Sequence, residues 1–286
     1  MSKSAPDPET DAETDTEDNS PRKVDLFIVG AQKSGTTALS KYLMGHPSVM
    51  IPEIKELHFF DNEDLDWEEP DYSILHRRFS VLDSTADTGC KTKIWGDATP
   101  IYMFWPNAMK RIYAYNPNAK IAVCLRHPSY RAYSHWRMEY SRGREALPFD
   151  VAISESGRKR ICDSDPMSVR IYTYLERGFY SEQVKAISSL FSTRQVMYIR
   201  SDHLIQKPGW VLKELAGFLE IDEADYTIQR LRHLSPVDYN REHYLNAENK
   251  AHLDGLYADD VIRTSNTIGL DLRDWLDPSY AEPVVF

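Results

Sequence analysis

Residues 24–44 read VDLFIVGAQKSGTTALSKYLM, and this stretch decides the fold. Residues 24–29 form a short, mostly apolar run bounded by Gly30, the pattern of a buried strand. From Thr36 to Met44, Ala38, Leu39, Tyr42 and Leu43 recur at helical spacing. Gly45, His46 and Pro47 then stop the helix. The order is strand, tight glycine-containing loop, helix.

Working outward, two more segments resemble the first strand: KIAVCL over residues 120–125 and QVMYI over residues 195–199. Helices are expected before them, over 108–115 and 181–191. A further helix over 210–219 places Val211, Leu212, Leu215, Phe218 and Leu219 on one side. Strands alternating with helices imply right-handed crossovers and a parallel sheet. The fold class is therefore α/β, a central parallel sheet flanked by helices. Residues 61–90 and 141–170 are polar and irregular, and read as surface insertions near a substrate cleft.

Charge is unevenly spread. The chain of 286 residues has a formal net charge of −10, which argues against a nucleic-acid binder. Residues 1–20 hold seven acids (Asp7, Glu9, Asp11, Glu13, Asp15, Glu17 and Asp18) against Lys3 alone. Residues 1–22 have too few apolar groups to offset their ordering entropy and are expected to be a disordered acidic tail. Residues 23–286 then make one nearly balanced domain, able to take a polyanionic small molecule. The three cysteines, Cys90, Cys124 and Cys162, form neither a metal-type spacing nor a disulfide framework. No basic, apolar leader opens the chain, and no run reaches the roughly 18 apolar residues of a membrane span. The reading is a soluble, cytoplasmic protein.

The loop Gly30-Ala31-Gln32-Lys33-Ser34-Gly35-Thr36-Thr37 joins the first strand to the first helix. Backbone N–H groups there, with the helix N-terminus, make a phosphate site. Gly35 allows close backbone approach, Lys33 adds a positive charge, and Ser34, Thr36 and Thr37 add hydroxyls. A Walker A loop is G-x-x-x-x-G-K-[ST]. The spacing from Gly30 to Gly35 fits, but Thr36 stands where the lysine belongs, and Lys33 lies inside the loop. That displacement suits a donor with a 5′-phosphosulfate and no required metal better than a nucleoside triphosphate with magnesium.

These residues resemble the PAPS-dependent sulfotransferase family. FIVGAQKSGTTALSKYLMGHP, residues 27–47, is similar to its 5′-phosphosulfate loop. Arg126-His-Pro-Ser-Tyr-Arg131-Ala-Tyr-Ser134, directly after KIAVCL, resembles its 3′-phosphate site. A guanidinium at a strand end and a hydroxyl eight residues later suit a phosphate outside any polyphosphate chain. Both sites in one protein favour a nucleotide phosphorylated at two separate places, as PAPS is. Lys55-Glu56-Leu57-His58-Phe59-Phe60-Asp61 resembles a segment of the heparan sulfate 3-O-sulfotransferase branch and of bacterial relatives. Trp95-Gly96-Asp97-Ala98-Thr99-Pro100-Ile101-Tyr102 resembles a further family segment, and Arg177-Gly178-Phe179-Tyr180 a weaker one. Some carbohydrate-acting relatives have a lysine where Ala98 stands. The late nucleotide loop of the family has its nearest counterpart in residues 235–241, which makes Arg241 a donor candidate.

The resemblance implies the P-loop-like sulfotransferase fold and transfer of a sulfuryl group from PAPS to an acceptor hydroxyl, with an amine as the alternative. The acceptor would be a carbohydrate, glycolipid or small metabolite. Lys33 would neutralise the leaving oxygen, Ser34, Gly35, Thr36 and Thr37 would hold the 5′-phosphate, and Arg126 and Ser134 the 3′-phosphate. Glu56 is the first candidate for the base, His58 the second and Asp97 the third. Phe59, Phe60, Trp105 and Trp136 are expected in the core. Two other readings compete. A P-loop kinase or NTPase would need a lysine at position 36 and a metal-binding acid ending a strand. A PAP-binding module without chemistry would have no use for Lys33 and Glu56.

Overall fold

The computed structural model describes residues 22–54, 56–83, 94–223 and 245–283, with the side chains of 80–83 excepted. The expected tail over residues 1–22 lies, but for Arg22, outside the described residues, as does Arg241. Five parallel strands form one sheet in the order β2-β3-β1-β4-β5. They are β1 Leu26–Gly30, β2 Val49–Met50, β3 Ile94–Asp97, β4 Lys120–Leu125 and β5 Val196–Arg200. In register, Phe27 stands opposite Asp97 on one side and Ile121 on the other.

β1 is buried along its whole length, which is why it reads as an unbroken apolar run. Its side chains still alternate. Phe27 and Val29 enter one core with Ile121, Val123 and Leu125 of β4. Leu26 and Ile28 enter a second with Ala122 and Cys124. Helices cover both faces. The first core takes α3 (Ala108–Tyr115), α4 (Pro128–Ser141), α8 (Ser181–Leu190) and α11 (Ala247–Ile268). The second takes α1 (Thr36–Met44), α9 (Ser201–Gln206) and α10 (Pro208–Leu219).

The expected helices over 36–44 and 108–115 and the strand over 120–125 stand at those bounds, and the other expected elements shift by one or two residues. The expected insertions hold more structure than their polarity suggests. α2 (Ser73–Asp83) lies in the first, and α5 (Phe149–Ile153), α6 (Glu155–Arg158) and α7 (Pro166–Tyr172) lie in or across the second. The last three are each shorter than two turns or nearly so, and leave no readable period.

β1 has β3 on one side and β4 on the other, so successive crossovers run to opposite sides of it. The ends of β1, β3 and β4 therefore border a crevice of the kind that binds ligands in open α/β sheets. Phe59, Phe60, Trp105 and Trp136 are all buried, as expected. Phe60 packs edge-on against Phe27 and Tyr102, at 5.5 and 5.7 Å between ring centroids. Burial of such a ring contributes about 1.5–3 kcal/mol, and here it fastens the segment carrying Glu56 and His58 to the sheet.

Candidate active site

The loop after β1 turns through Lys33 at φ 73° and Gly35 at φ 90°, both left-handed. Gly35 is the N-cap of α1, and no side chain caps that helix or places an acid in its first turn. Its first-turn N–H groups and positive dipole end face the loop. α4, which follows the neighbouring β4, likewise has no side-chain cap and no acid in its first turn. The N-terminus of α1 thus suits an anion, while in the first turn of α4 Ser129 donates to Asp254 at 2.6 Å. Ser34 and Thr36 are buried, Lys33 and Thr37 half-buried, and Ser134 half-buried on α4.

Arg126 follows β4 and reaches across to the loop. Its Nη1 donates to the Lys33 carbonyl at 3.0 Å. Tyr180 donates its hydroxyl to the Arg126 carbonyl at 2.9 Å. The other guanidinium nitrogens grip Glu282, Nε to Oε1 at 2.7 Å and Nη2 to Oε2 at 2.5 Å. The two sequence motifs, 93 residues apart, thus share one hydrogen-bonded corner.

Glu56 and His58 flank Leu57 in left-handed conformations, φ 67° and 51°. Such residues cost about 1–3 kcal/mol each when held there, and cluster at functional sites. Among the described residues five non-glycine positions have positive φ, and Lys33, Glu56 and His58 are three of them. The turn brings His58 Nε2 to 3.5 Å from Glu56 Oε2, and His58 Nδ1 to 2.8 Å from Asp61 Oδ2. Hydrogen bonds to Asp61 and Glu56 push the His58 pKa up to about 9, so the ring is an imidazolium at neutral pH. That makes His58 a poor proton acceptor there and leaves its partner Glu56, 3.5 Å away, as the stronger base candidate of the two.

Asp97 ends β3 and is buried. Desolvation raises its pKa to about 6. Its oxygens accept from Thr99 Oγ1 at 2.7 Å and from the Tyr102 hydroxyl at 2.9 Å. The Tyr102 oxygen in turn accepts from the Phe59 N–H at 3.1 Å. Asp97 therefore orients the Glu56–Asp61 loop. An acid does end a strand beside β1, but Thr99 and Tyr102 already engage both its oxygens. Ala98 is buried in the second core and presents no charge.

Arg170 and the placement of Arg177 were not legible in the sequence. Arg170 Nη1 donates to Asp61 Oδ2 at 2.6 Å, and its guanidinium lies over the Trp105 ring. Buried Arg177 bonds Gln32 of the phosphate loop and donates from Nη2 to the Arg170 carbonyl at 2.9 Å. A continuous path thus runs from Gln32 through Arg177, Arg170, Asp61 and His58 to Glu56. Gly178 is required beside Arg177: a Cβ there would meet the Tyr257 hydroxyl at 2.6 Å. Burial holds His135 well below its ordinary pKa, and the charges of Arg177, Arg131 and Lys33 depress it further.

A cavity of about 380 Å³ opens on the other side, lined by His58, Asp61, Glu63, Asp64, Trp105 and Arg170 among others. Residues 58–64 and α7 meet there, so parts of both expected insertions border a cleft.

The fold and this paired arrangement define an α/β protein with a P-loop-like anion site. The family model for the sulfotransferase domain matches residues 23–255, and the chain belongs to that family. It is similar to the bifunctional heparan sulfate N-deacetylase/N-sulfotransferase 1 of Caenorhabditis briggsae, 27% identical over 70% of this chain and 23% of that protein. It is similar to the human heparan sulfate glucosamine 3-O-sulfotransferase 3B1, 27% identical over 68% of this chain and 45% of that protein. Among solved structures, a sulfotransferase from Alicyclobacillus acidocaldarius superposes with a TM-score of 0.69 at 26% identity, covering 89% of this chain and 99% of that one. The chain spans between 22% and 66% of the length of the first curated relatives it matches. Among the described residues no helix is long and apolar enough to cross a membrane.

Proposed function

We propose that this protein transfers the sulfuryl group of PAPS to an acceptor hydroxyl or amine and releases PAP. One observation carries the reading: the phosphate loop after β1 and Arg126 after β4 meet through a 3.0 Å hydrogen bond. Two separate anion-binding elements at one crevice fit a nucleotide with two separate phosphates. The 5′-phosphosulfate fits the loop amides of residues 34–37 and the N-terminus of α1. The 3′-phosphate fits Arg126 and Ser134.

In the transfer the acceptor atom bonds to sulfur as the bond from sulfur to the 5′-phosphate oxygen breaks. Lys33 neutralises the charge that grows on that oxygen. Glu56 takes the acceptor's proton, and imidazolium His58, held by Asp61, fixes the Glu56 carboxylate. Arg170 and Arg177 hold this acceptor side in register with the loop.

The cavity beside His58 supports an uncharged or amine-bearing acceptor, a carbohydrate or a small metabolite, over a sulfated chain. Residues 61–71 carry seven acids and no base. Arg170 and Arg111 are already paired with Asp61 and Glu63. Like charges would repel a polyanion at this entrance. The test is incubation with 35S-labelled PAPS and an acceptor panel of glucosamine oligomers, N-acetylated oligomers and heparin fragments, with products read by mass spectrometry. Label transfer to the first two classes supports the reading. PAP binding without transfer to any acceptor or to extract metabolites favours a module, and magnesium-dependent ATP hydrolysis favours a kinase or NTPase.

A further inference from the structure

The guanidinium that the donor's 3′-phosphate would need is already engaged. Glu282 meets Arg126 in a two-point pair at 2.5 and 2.7 Å, the geometry by which arginine also recognises phosphate. Arg126 is only 24% exposed and Glu282 17%, so the pair is partly withdrawn from water. Glu282 arrives on a carboxyl-terminal strap that crosses the starts of α4 and α9. Its Tyr280 ring stacks on His127 with centroids 5.0 Å apart, and its hydroxyl donates to Asp202 Oδ2 at 3.1 Å. Lys250 Nζ donates to the Pro278 carbonyl at 3.2 Å. The strap is thus fastened before Glu282.

Resting on the donor reading above, we propose that Glu282 is an internal counter-ion that the 3′-phosphate of PAPS or PAP displaces from Arg126, and so sets how tightly the donor and its product are held. Removing a carboxylate from a half-buried guanidinium without replacement would strand a charge, so the empty site keeps one. A phosphate carries up to twice that charge and can take the same fork. The Arg126 bond to the Lys33 carbonyl is untouched by the exchange. A nucleotide without a 3′-phosphate gains nothing by opening the pair. Glu282 therefore weakens PAPS and PAP alike and leaves adenosine 5′-monophosphate unaffected, easing product release at the expense of affinity.

The test is titration of the wild-type chain and Glu282→Gln with PAP and with adenosine 5′-monophosphate by calorimetry. A site closed nine-tenths of the time loses about tenfold in apparent affinity. Glu282→Gln should therefore bind PAP about tenfold or more tightly, with less than a twofold change for the monophosphate. An unchanged or weaker PAP affinity in a variant with the wild-type melting temperature overturns the proposal. Hydrogen exchange on the wild-type chain gives a second reading that needs no variant. The amide of Glu282, which hydrogen-bonds Tyr130, should lose protection when PAP saturates the protein and keep it with the monophosphate. Retained protection under PAP overturns the proposal alone. Failure of the wild type to bind PAP overturns the donor reading with it.

Discussion

Arg126 reaches 3.0 Å from the carbonyl of Lys33, so the end of β4 and the loop after β1 hold one another across the crevice. The two residues have separable duties in the proposed transfer. Lys33→Ala should retain PAP binding within a few-fold and lose most turnover, since its charge matters as the sulfur–oxygen bond breaks. Arg126→Ala should weaken PAP by roughly 30-fold or more, the cost of removing one partner of a hydrogen-bonded charge pair. Calorimetry with PAP and single-turnover transfer separate the effects. Unchanged constants in both variants would remove the assignment.

Glu56→Gln keeps the shape of the side chain and removes the proton acceptor. Single-turnover transfer should fall about 100- to 10,000-fold, while PAP affinity stays put. Wild-type transfer rates in this variant would pass the role of base to another group.

The pH profile distinguishes Glu56 from His58. With its pKa near 9, His58 stays charged through neutrality. If Glu56 is the base and the imidazolium its support, transfer should be level from pH 7 to 8 and decline as pH approaches 9. A rate that climbs through pH 9 would identify neutral His58 as the base. Stability follows the same group. Its folded pKa lies above the ordinary 6.5, so its contribution is complete below pH 6.5 and is lost as pH rises through 9. Thermal melts of His58→Asn should be less pH-dependent across that window than those of the wild type.

Tyr102→Phe deletes the bond to Asp97 and strands the buried Phe59 N–H. The cost should be about 1–3 kcal/mol in chemical denaturation. Because the loop from Glu56 to Asp61 hangs on that phenol, kcat should drop more than PAP affinity. Equal losses in both would show that Tyr102 serves the core alone.

Much of the donor side was legible in the sequence because it is local. The strand, the loop from Gly30 to Thr37 and the helix to Met44 are consecutive, and their periodicities change at the glycine. The acceptor side was half legible. Glu56 and His58 could be named from their motif, but their ranking rests on Asp61, whose bond to His58 raises the imidazole pKa. The longest helix among the described residues, α11, carries only a weak signal, a thin buried stripe in which Leu253, Tyr257 and Val261 recur every fourth residue.

By itself the order of residues determined the alternation of strand and helix, the parallel sheet and the anion-binding character of the first loop. Such features depend on neighbours a few positions apart, where backbone geometry and apolar spacing act directly. Only the tertiary structure decided which charges meet. Asp61 finds Arg170 across 109 positions of sequence, and Arg126 finds Glu282 across 156. An ion pair has no period and no required spacing along the chain, so its partner is known only once the sheet and its crossovers have brought the two groups together.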